Sequence, residues 1–440
     1  METPQHPQVH TPLPGPKAKA ILERDNSILS TSYVRPYPFV PEAGEGVWIR
    51  DVDGNIFLDM MAGIAVNTTG YAHPRVVDAV HKQASRFSHV CFSDFSSEPQ
   101  VSLAERLNRL AGGGFRVYFG NSGTEGVEAA VKVVRYHTRR PYILAFTGAF
   151  HGRTLGSLAL TSSNSKYRKG FAPLLPGVVH VPYPHPYRPP FGAKPENTAA
   201  VVIGYIEHLF KTKLPPDEVG AIFVEPIQGE GGYIVPPEGF LAELQRLARK
   251  HGILIVADEV QTGSGRTGRF LASEYEGIDP DIVILAKGLA SGYPISAVLF
   301  KEELSSWPPG AHGTTFGGNP VAAAAAMATL DLLEDGLMQN ALDVGELLWS
   351  ELRKLQDSFP RLGDVRGRGL MIGLDFVKDP ATREEDAELR DKVADLAFSK
   401  GLLTLPAGPS TLRLSPPLLL TREQAAIAVE IIGKVFEELD

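Results

Sequence analysis

Four short stretches of the 440-residue chain place reactive side chains beside glycines. One is Ile282-Val283-Ile284-Leu285-Ala286-Lys287-Gly288, an apolar run that ends on an amine. A lysine stripped of water loses basicity and becomes the neutral amine that forms Schiff bases. The competing reading is a lysine that snorkels from a strand end. A second apolar run, 253–257, ends on Asp258-Glu259-Val260-Gln261. Such an acidic pair must reach solvent or meet a positive partner, because a buried unpaired carboxylate is costly. Asp258 suits a charge-assisted hydrogen bond to a protonated ring nitrogen, and equally a helix cap or a Mg²⁺ ligand.

The third stretch, Gly120-Asn121-Ser122-Gly123-Thr124, follows an apolar run and precedes a helical pattern. Small residues there let backbone N–H groups turn toward an anion at a helix N-terminus, or they form an ordinary cap. No Gly-Lys-Ser/Thr follows, so it is not a P-loop. The fourth, Gly148-Ala149-Phe150-His151-Gly152-Arg153-Thr154, offers an aromatic face for ring stacking and a guanidinium for a carboxylate. A lone Phe or His here would serve packing. Gly263, Gly265 and Gly268 match the dinucleotide fingerprint, but neither an immediate helix nor an acid ending the next strand follows. His151, His180 and His185 lack the thiolates or paired spacing of a zinc site, so no metal is expected.

The elements that must position these groups are legible as apolar runs. Residues 115–119, 142–146, 220–224, 253–257, 281–285 and 295–300 read as strands, with helices over 103–110, 125–137 and 240–251. Runs that are apolar on both faces and separated by helices predict a mostly parallel sheet covered on both sides. The four stretches then fall at strand ends or helix starts, where open α/β sheets bind ligands. Upstream, 47–50 and 56–58 flank Asp53-Gly54 as a hairpin, with helices over 17–24 and 73–87. Pro4, Pro7, Pro12, Pro14 and Pro16 predict an extended segment lying on another surface, and the proline-rich stretch 182–195 a surface excursion. Beyond 320, helices over 321–334, 339–355 and 422–439 and strands over 370–376 and 412–414 predict a smaller α+β domain.

Composition narrows the partners. A formal net charge of -8 without a basic run disfavours nucleic acid and anionic membranes. Cys91 is the single cysteine, which excludes an intrachain disulfide, and it is expected to be a small buried hydrophobe. No signal peptide and no stretch long enough for a transmembrane helix is read, so a cytoplasmic protein is expected.

Taken in order, the motifs resemble the class III aminotransferases, pyridoxal-phosphate (PLP) enzymes of fold type I. The likeness runs from Gly44-Glu45-Gly46-Val47-Trp48 to the last helix, through Ser122-Gly123-Thr124-Glu125, Glu225-Pro226-Ile227-Gln228-Gly229-Glu230-Gly231-Gly232 and Thr314-Thr315-Phe316-Gly317-Gly318-Asn319-Pro320. The resemblance implies an α/β fold whose large domain, 76–315, carries a mostly parallel seven-stranded sheet. A smaller α+β domain would combine 1–75 with 316–440. It implies pyridoxal 5'-phosphate as cofactor, with Lys287 as Schiff-base lysine and proton shuttle and Asp258 on the pyridinium nitrogen. Gln261 would sit near the ring hydroxyl, and Phe150, next to His151, would stack on the ring. Ser122, Gly123 and Thr124 would cradle the phosphate, helped by Thr315 of the partner subunit in a homodimer or dimer of dimers. Arg413 would bind the α-carboxylate of glutamate, Glu230 would pair with Arg413 when that carboxylate is absent, and Arg153 would take a distal carboxylate. The implied activity is transamination of an ω-amino acid such as 4-aminobutyrate or ornithine with 2-oxoglutarate as acceptor. A racemase of the same fold is the alternative, and a nicotinamide-dependent oxidoreductase a distant one.

Overall fold

The computed structural model describes residues 4–439. Near the N-terminus, β1 (Pro41–Glu45), β2 (Trp48–Asp51) and β3 (Ile56–Asp59) form an antiparallel meander. The β2–β3 turn is the expected one at Asp53-Gly54, with Gly54 at φ 92°, which a glycine adopts without strain. The proline-rich segment does lie extended on a surface, and that surface is this hairpin. Gln8 pairs with Ile56, and the Asn55 side chain accepts from the His10 and Thr11 N–H groups. Asp53 then accepts from the Lys17 and Ala18 N–H groups, capping helix Pro16–Ile28. The first three residues of that segment lie outside the described range.

The central sheet has seven strands. They are β4 (Phe115–Gly120), β5 (Tyr142–Phe146), β6 (Val178–Val181), β7 (Val219–Val224), β8 (Leu254–Asp258), β9 (Ile282–Leu285) and β10 (Ser296–Lys301). Their order is β4-β10-β9-β8-β7-β5-β6. Only β10 runs antiparallel, to both β4 and β9, so the sheet is mostly parallel as the apolar runs predict. Every residue of β7 and β9 is buried, because helices cover both faces. Several elements have no counterpart in the sequence reading, and two of them lie in or beside this sheet. Strand β6 is four residues long and carries His180, and helix Thr198–Thr212 opens with a β-branched Val201-Val202-Ile203 run that mimics a strand.

C-terminal strands β11 (Leu362–Arg368), β12 (Met371–Phe376), β14 (Leu405–Ala407) and β15 (Thr411–Leu414) make an antiparallel sheet, while β13 (Leu402–Leu403) joins β3 in parallel. Residues from both ends of the chain therefore share one small sheet. The stretch 182–195 is the expected surface excursion only in its second half, where Phe191 is exposed, and its first half is tied into the molecule. Tyr183 is buried with its hydroxyl on the Glu225 and Pro226 carbonyls, and Arg188 grips Asp375 of β12 at 2.7 and 2.9 Å. The prolines stiffen a strap between the two sheets. Cys91 is half-buried, less than expected.

Candidate active site

Strands β8 and β9 pair with Asp258 opposite Ile284, which sets Asp258 and Lys287 at neighbouring strand ends. Both line one cavity of about 290 Å³, together with Gly123, Thr124, Phe150, Arg153 and Gln261. Lys287 opens a 3-10 turn at φ 41°, a left-handed conformation that a lysine adopts only at a cost in free energy. The turn aims its amine into the cavity instead of along the strand. Burial, reinforced by the Arg413 charge, lowers the Lys287 pKa to about 8, against the opposing pull of Asp258.

The Asp258 carboxylate is fixed from two sides. Its Oδ1 accepts from the Val260 N–H at 3.0 Å, and Nδ1 of the buried His151 lies 2.7 Å from Oδ2. Burial lowers the His151 pKa, but the hydrogen bond and charge of Asp258 outweigh it and the net shift is upward. Glu225 lines the same cavity beside this pair and accepts from the Phe150 and Gly229 N–H groups at 2.7 Å each. Burial, with help from Asp258 and against His151, raises its pKa to about 7. Glu225 thus fixes the loop that carries Phe150.

Across the cavity, helix Gly123–Thr138 begins where β4 ends. Ser122 is its cap and accepts from the Glu125 N–H, so of the three residues assigned to an anion cradle only Gly123 and Thr124 face the cavity. Thr124 Oγ1 bonds Ser157 at 2.7 Å and Thr154 at 2.8 Å. A side chain on Gly152 would overlap Thr124 Oγ1, and one on Gly123 would lie 2.9 Å from Val260. Glycine is required at both positions for the loop to close on the helix N-terminus.

At the remaining wall, Arg413 on β15 meets Glu230 at 3.0 Å. Arg413 is buried; its Nη1 forms an ion pair with Glu230 without an aligned hydrogen bond, and its Nε has no partner among the described residues. The Tyr167 hydroxyl donates to the other Glu230 oxygen at 3.0 Å, and Arg153 lies over the Tyr167 ring at 4.2 Å.

The structure thus gathers Lys287, Asp258, Gln261, Phe150, His151, Gly123, Thr124, Arg153 and Glu230 around one cavity, with Arg413 just behind Glu230. Thr315 does not line it. It sits exposed beside Phe316, which is 62% exposed. Sequence reasoning assigned no separate role to Glu225 or Tyr167. The first was visible within its motif, whereas nothing local in Ser165-Lys166-Tyr167 announces the second. The acidic pair at 258–259 behaves unlike the expectation. Glu259 reaches neither solvent nor a cation, and accepts instead from the Ala272 and Ser273 N–H groups at 3.0 and 2.8 Å and from Thr262. Aligned neutral donors suffice to hold a buried carboxyl, and burial pushes its pKa up. The run Gly263 to Gly268 forms turns packed on Leu333 and Leu342, and its Arg266 reaches the Leu370 and Pro416 carbonyls. It fastens the C-terminal helices to the end of β8. His180 and His185 bond the Leu160 carbonyl and the Arg188 N–H separately.

These walls fit a planar ring that carries a phosphate, an aldehyde and a protonated nitrogen. There is a buried amine on one side, a braced carboxylate on the adjacent strand, amide groups at a helix start, and a buried Gln261 Oε1 without a partner among the described residues. The volume falls near the lower end for small-molecule sites, about 300–1,000 Å³. Residues 30–436 match the Aminotransferase class-III family model. An alanine/serine racemase of Pyrococcus horikoshii is 42% identical over 99% of this chain and 93% of its own length. A 4-aminobutyrate aminotransferase of Mycobacterium leprae is also 42% identical, over 98% of both chains. The crystal structure of a PLP-bound amine transaminase from an uncultivated Pseudomonas species superposes with a TM-score of 0.87 at 34% identity, covering 91% of this chain and 95% of that one. With the match running almost end to end and the cavity chemistry in accord with it, the protein belongs to the class III aminotransferases and takes pyridoxal phosphate as its cofactor.

Proposed function

We propose that this aminotransferase moves an amino group from an ω-amino acid such as 4-aminobutyrate to 2-oxoglutarate. The observation that carries the reading is the 3.0 Å pair between Glu230 and Arg413 at the cavity wall. A buried arginine needs an anion in every state of the enzyme, because stripping it of one is strongly unfavourable. Glu230 supplies that anion while an ω-amino acid, which brings no α-carboxylate, is bound. A 2-oxo diacid brings its own, and Arg413 exchanges one carboxylate for the other. Arg153, at the mouth over Tyr167, is placed for the distal carboxylate of either substrate.

The cofactor would be held by the Gly123 and Thr124 amides at its phosphate, by Phe150 against its face, by Gln261 at its hydroxyl, and by Asp258, braced by His151, at its ring nitrogen. Pyridoxal phosphate supplies the electron-withdrawing ring that makes a proton on the substrate carbon acidic. Lys287 would be the attachment point, and once its amine is free, Nζ, partly neutral near pH 8, would take up and return that proton. We further propose that the working unit is a dimer, in which Thr315 of the partner subunit completes the phosphate site. The exposure of Thr315 and Phe316 away from their own cavity supports this.

A second reading, an amino-acid racemase, is favoured by the 42% identity to the Pyrococcus horikoshii enzyme. One panel separates the two: glutamate formation from 2-oxoglutarate with 4-aminobutyrate, ornithine, N-acetylornithine, lysine or leucine as donor, and loss of optical rotation with L-alanine alone. Transamination predicts glutamate formation, fastest with 4-aminobutyrate. Racemised alanine without glutamate from any donor overturns it.

A further inference from the structure

Glu230 has a second partner, and its chemistry bears on which carboxylates the site accepts. The Tyr167 hydroxyl donates to Oε1 of Glu230 at 3.0 Å while Arg413 holds Oε2 at 3.0 Å. Among the described residues Tyr167 is the group that hydrogen-bonds this carboxylate and Arg413 the one that pairs with its charge. Tyr167 is itself held in place. It closes a 3-10 turn, and the guanidinium of the next residue, Arg168, is anchored on the Leu158, Ala159 and Thr161 carbonyls at 2.7–3.0 Å. The Glu230 backbone is fixed as well, because its carbonyl accepts from the Gly408 N–H at 2.8 Å. Only the Glu230 side chain is left to move.

We propose that Tyr167 is a specificity-determining positioning residue: its hydroxyl retains Glu230 after Arg413 has been handed to a substrate α-carboxylate. The inference rests on the exchange of ion pairs proposed above. Its logic is an asymmetry between two states. In the paired state Glu230 has a cation and a phenol, so losing the phenol costs little. In the released state the phenol is the protein donor that remains, and a half-buried carboxylate left without one is penalised. Removing the hydroxyl therefore disfavours release, and with it every substrate that must take Arg413 through an α-carboxylate. Burial first and the neighbouring Glu230 second raise the Tyr167 pKa to about 12, so the hydroxyl keeps its proton across the working range. Because Arg153 stacks on the same ring, the residue proposed for the distal carboxylate and the one that yields Arg413 are braced against one side chain.

The test is Tyr167→Phe, which keeps the ring under Arg153 and deletes only the hydroxyl, assayed as the holoenzyme. We expect kcat/KM for 2-oxoglutarate to fall about ten-fold, mostly through KM, and that for 4-aminobutyrate to change by no more than about two-fold. The dissociation constant of 2-oxoglutarate, measured by calorimetry on the pyridoxal form, should weaken in step. In a Glu230→Ala background the same substitution should have no further effect, since Tyr167 acts through Glu230. Equal losses for both substrates, or an undiminished effect without Glu230, overturn the proposal. A wild-type enzyme that forms no glutamate from 2-oxoglutarate sinks the transaminase reading itself, and this inference falls with it.

Discussion

Nδ1 of His151 lies 2.7 Å from Oδ2 of Asp258, with both side chains buried and Glu225 beside them at the same cavity. The imidazole uses its ring N–H on the carboxylate, as partners behind a ligating group commonly do, and so fixes the rotamer of Asp258 toward the cavity. His151→Phe keeps the volume and removes the donor. Partners of this kind are worth about 10–100-fold in affinity or activity. We expect kcat to fall within that range and the cofactor to dissociate more readily, measured by absorbance titration of the cofactor-free protein. Unchanged kcat and cofactor affinity would mean that Asp258 needs no brace.

The Lys287 amine gives a pH dependence with a definite sign. Its pKa is lowered from the usual 10.5 to about 8, by burial first and by Arg413 second. Below about 8 both folded and unfolded chains bind the proton, and the full destabilising contribution of this group is present. Between about 8 and 10.5 the unfolded chain holds a proton that the folded chain has released, so this group makes stability rise with pH across that window. In the cofactor-free protein, denaturant midpoints should show this rising component, and Lys287→Met should abolish it. The rate of cofactor capture, which needs the neutral amine, should rise with pH with a midpoint near 8. A midpoint near 10.5 would contradict the burial argument.

Gly152, at φ 127°, lies where a Cβ would overlap Thr124 Oγ1 and Ser157 Oγ lies just beyond. Gly152→Ala therefore adds backbone strain and pushes the loop off the helix start. We expect a stability loss of about 2–4 kcal/mol and a cofactor dissociation constant at least ten-fold weaker, with normal protein folding confirmed by circular dichroism. Full cofactor affinity would place the phosphate away from Gly123 and Thr124.

Much of this was legible before any coordinates, and the misses have physical causes. Strands β7, β8 and β9 are buried on both faces, so their apolar runs are continuous, and the reactive residues at their ends stand out by contrast. Strand β6 offers no such contrast, since four residues including His180 cannot be told from a loop. The first half of the stretch 182–195 misled because proline marks a stiff path without saying what lies beside it, and Asp375, which Arg188 grips, is remote in sequence. Glu259 misled because its donors, the amides of Ala272 and Ser273, are backbone groups that no residue pattern displays. Tyr167 belongs to the same class, since its significance is a 3.0 Å bond to a residue on another loop.

The Glu230–Arg413 pair yields the sharpest functional prediction. If Arg413 binds the α-carboxylate of the acceptor, Arg413→Ala removes a charge-assisted contact made by 2-oxoglutarate and leaves a carboxylate facing Glu230. Truncating one member of a buried charge pair costs about 2–5 kcal/mol, and we expect kcat/KM for 2-oxoglutarate to fall about 100-fold or more. 4-Aminobutyrate presents no α-carboxylate, and its single carboxylate belongs to Arg153, so its loss should stay under about ten-fold and come from the freed Glu230. Glu230→Gln should act the other way, weakening the competitor for Arg413 and improving the apparent affinity for 2-oxoglutarate relative to 4-aminobutyrate. Half-reactions followed separately by the absorbance of the cofactor resolve the two substrates without mixing their steady-state constants. Losses of equal size in both half-reactions of Arg413→Ala would show that the arginine serves the cavity as a whole, and the exchange of anions on which the ω-amino acid reading depends would have to be abandoned.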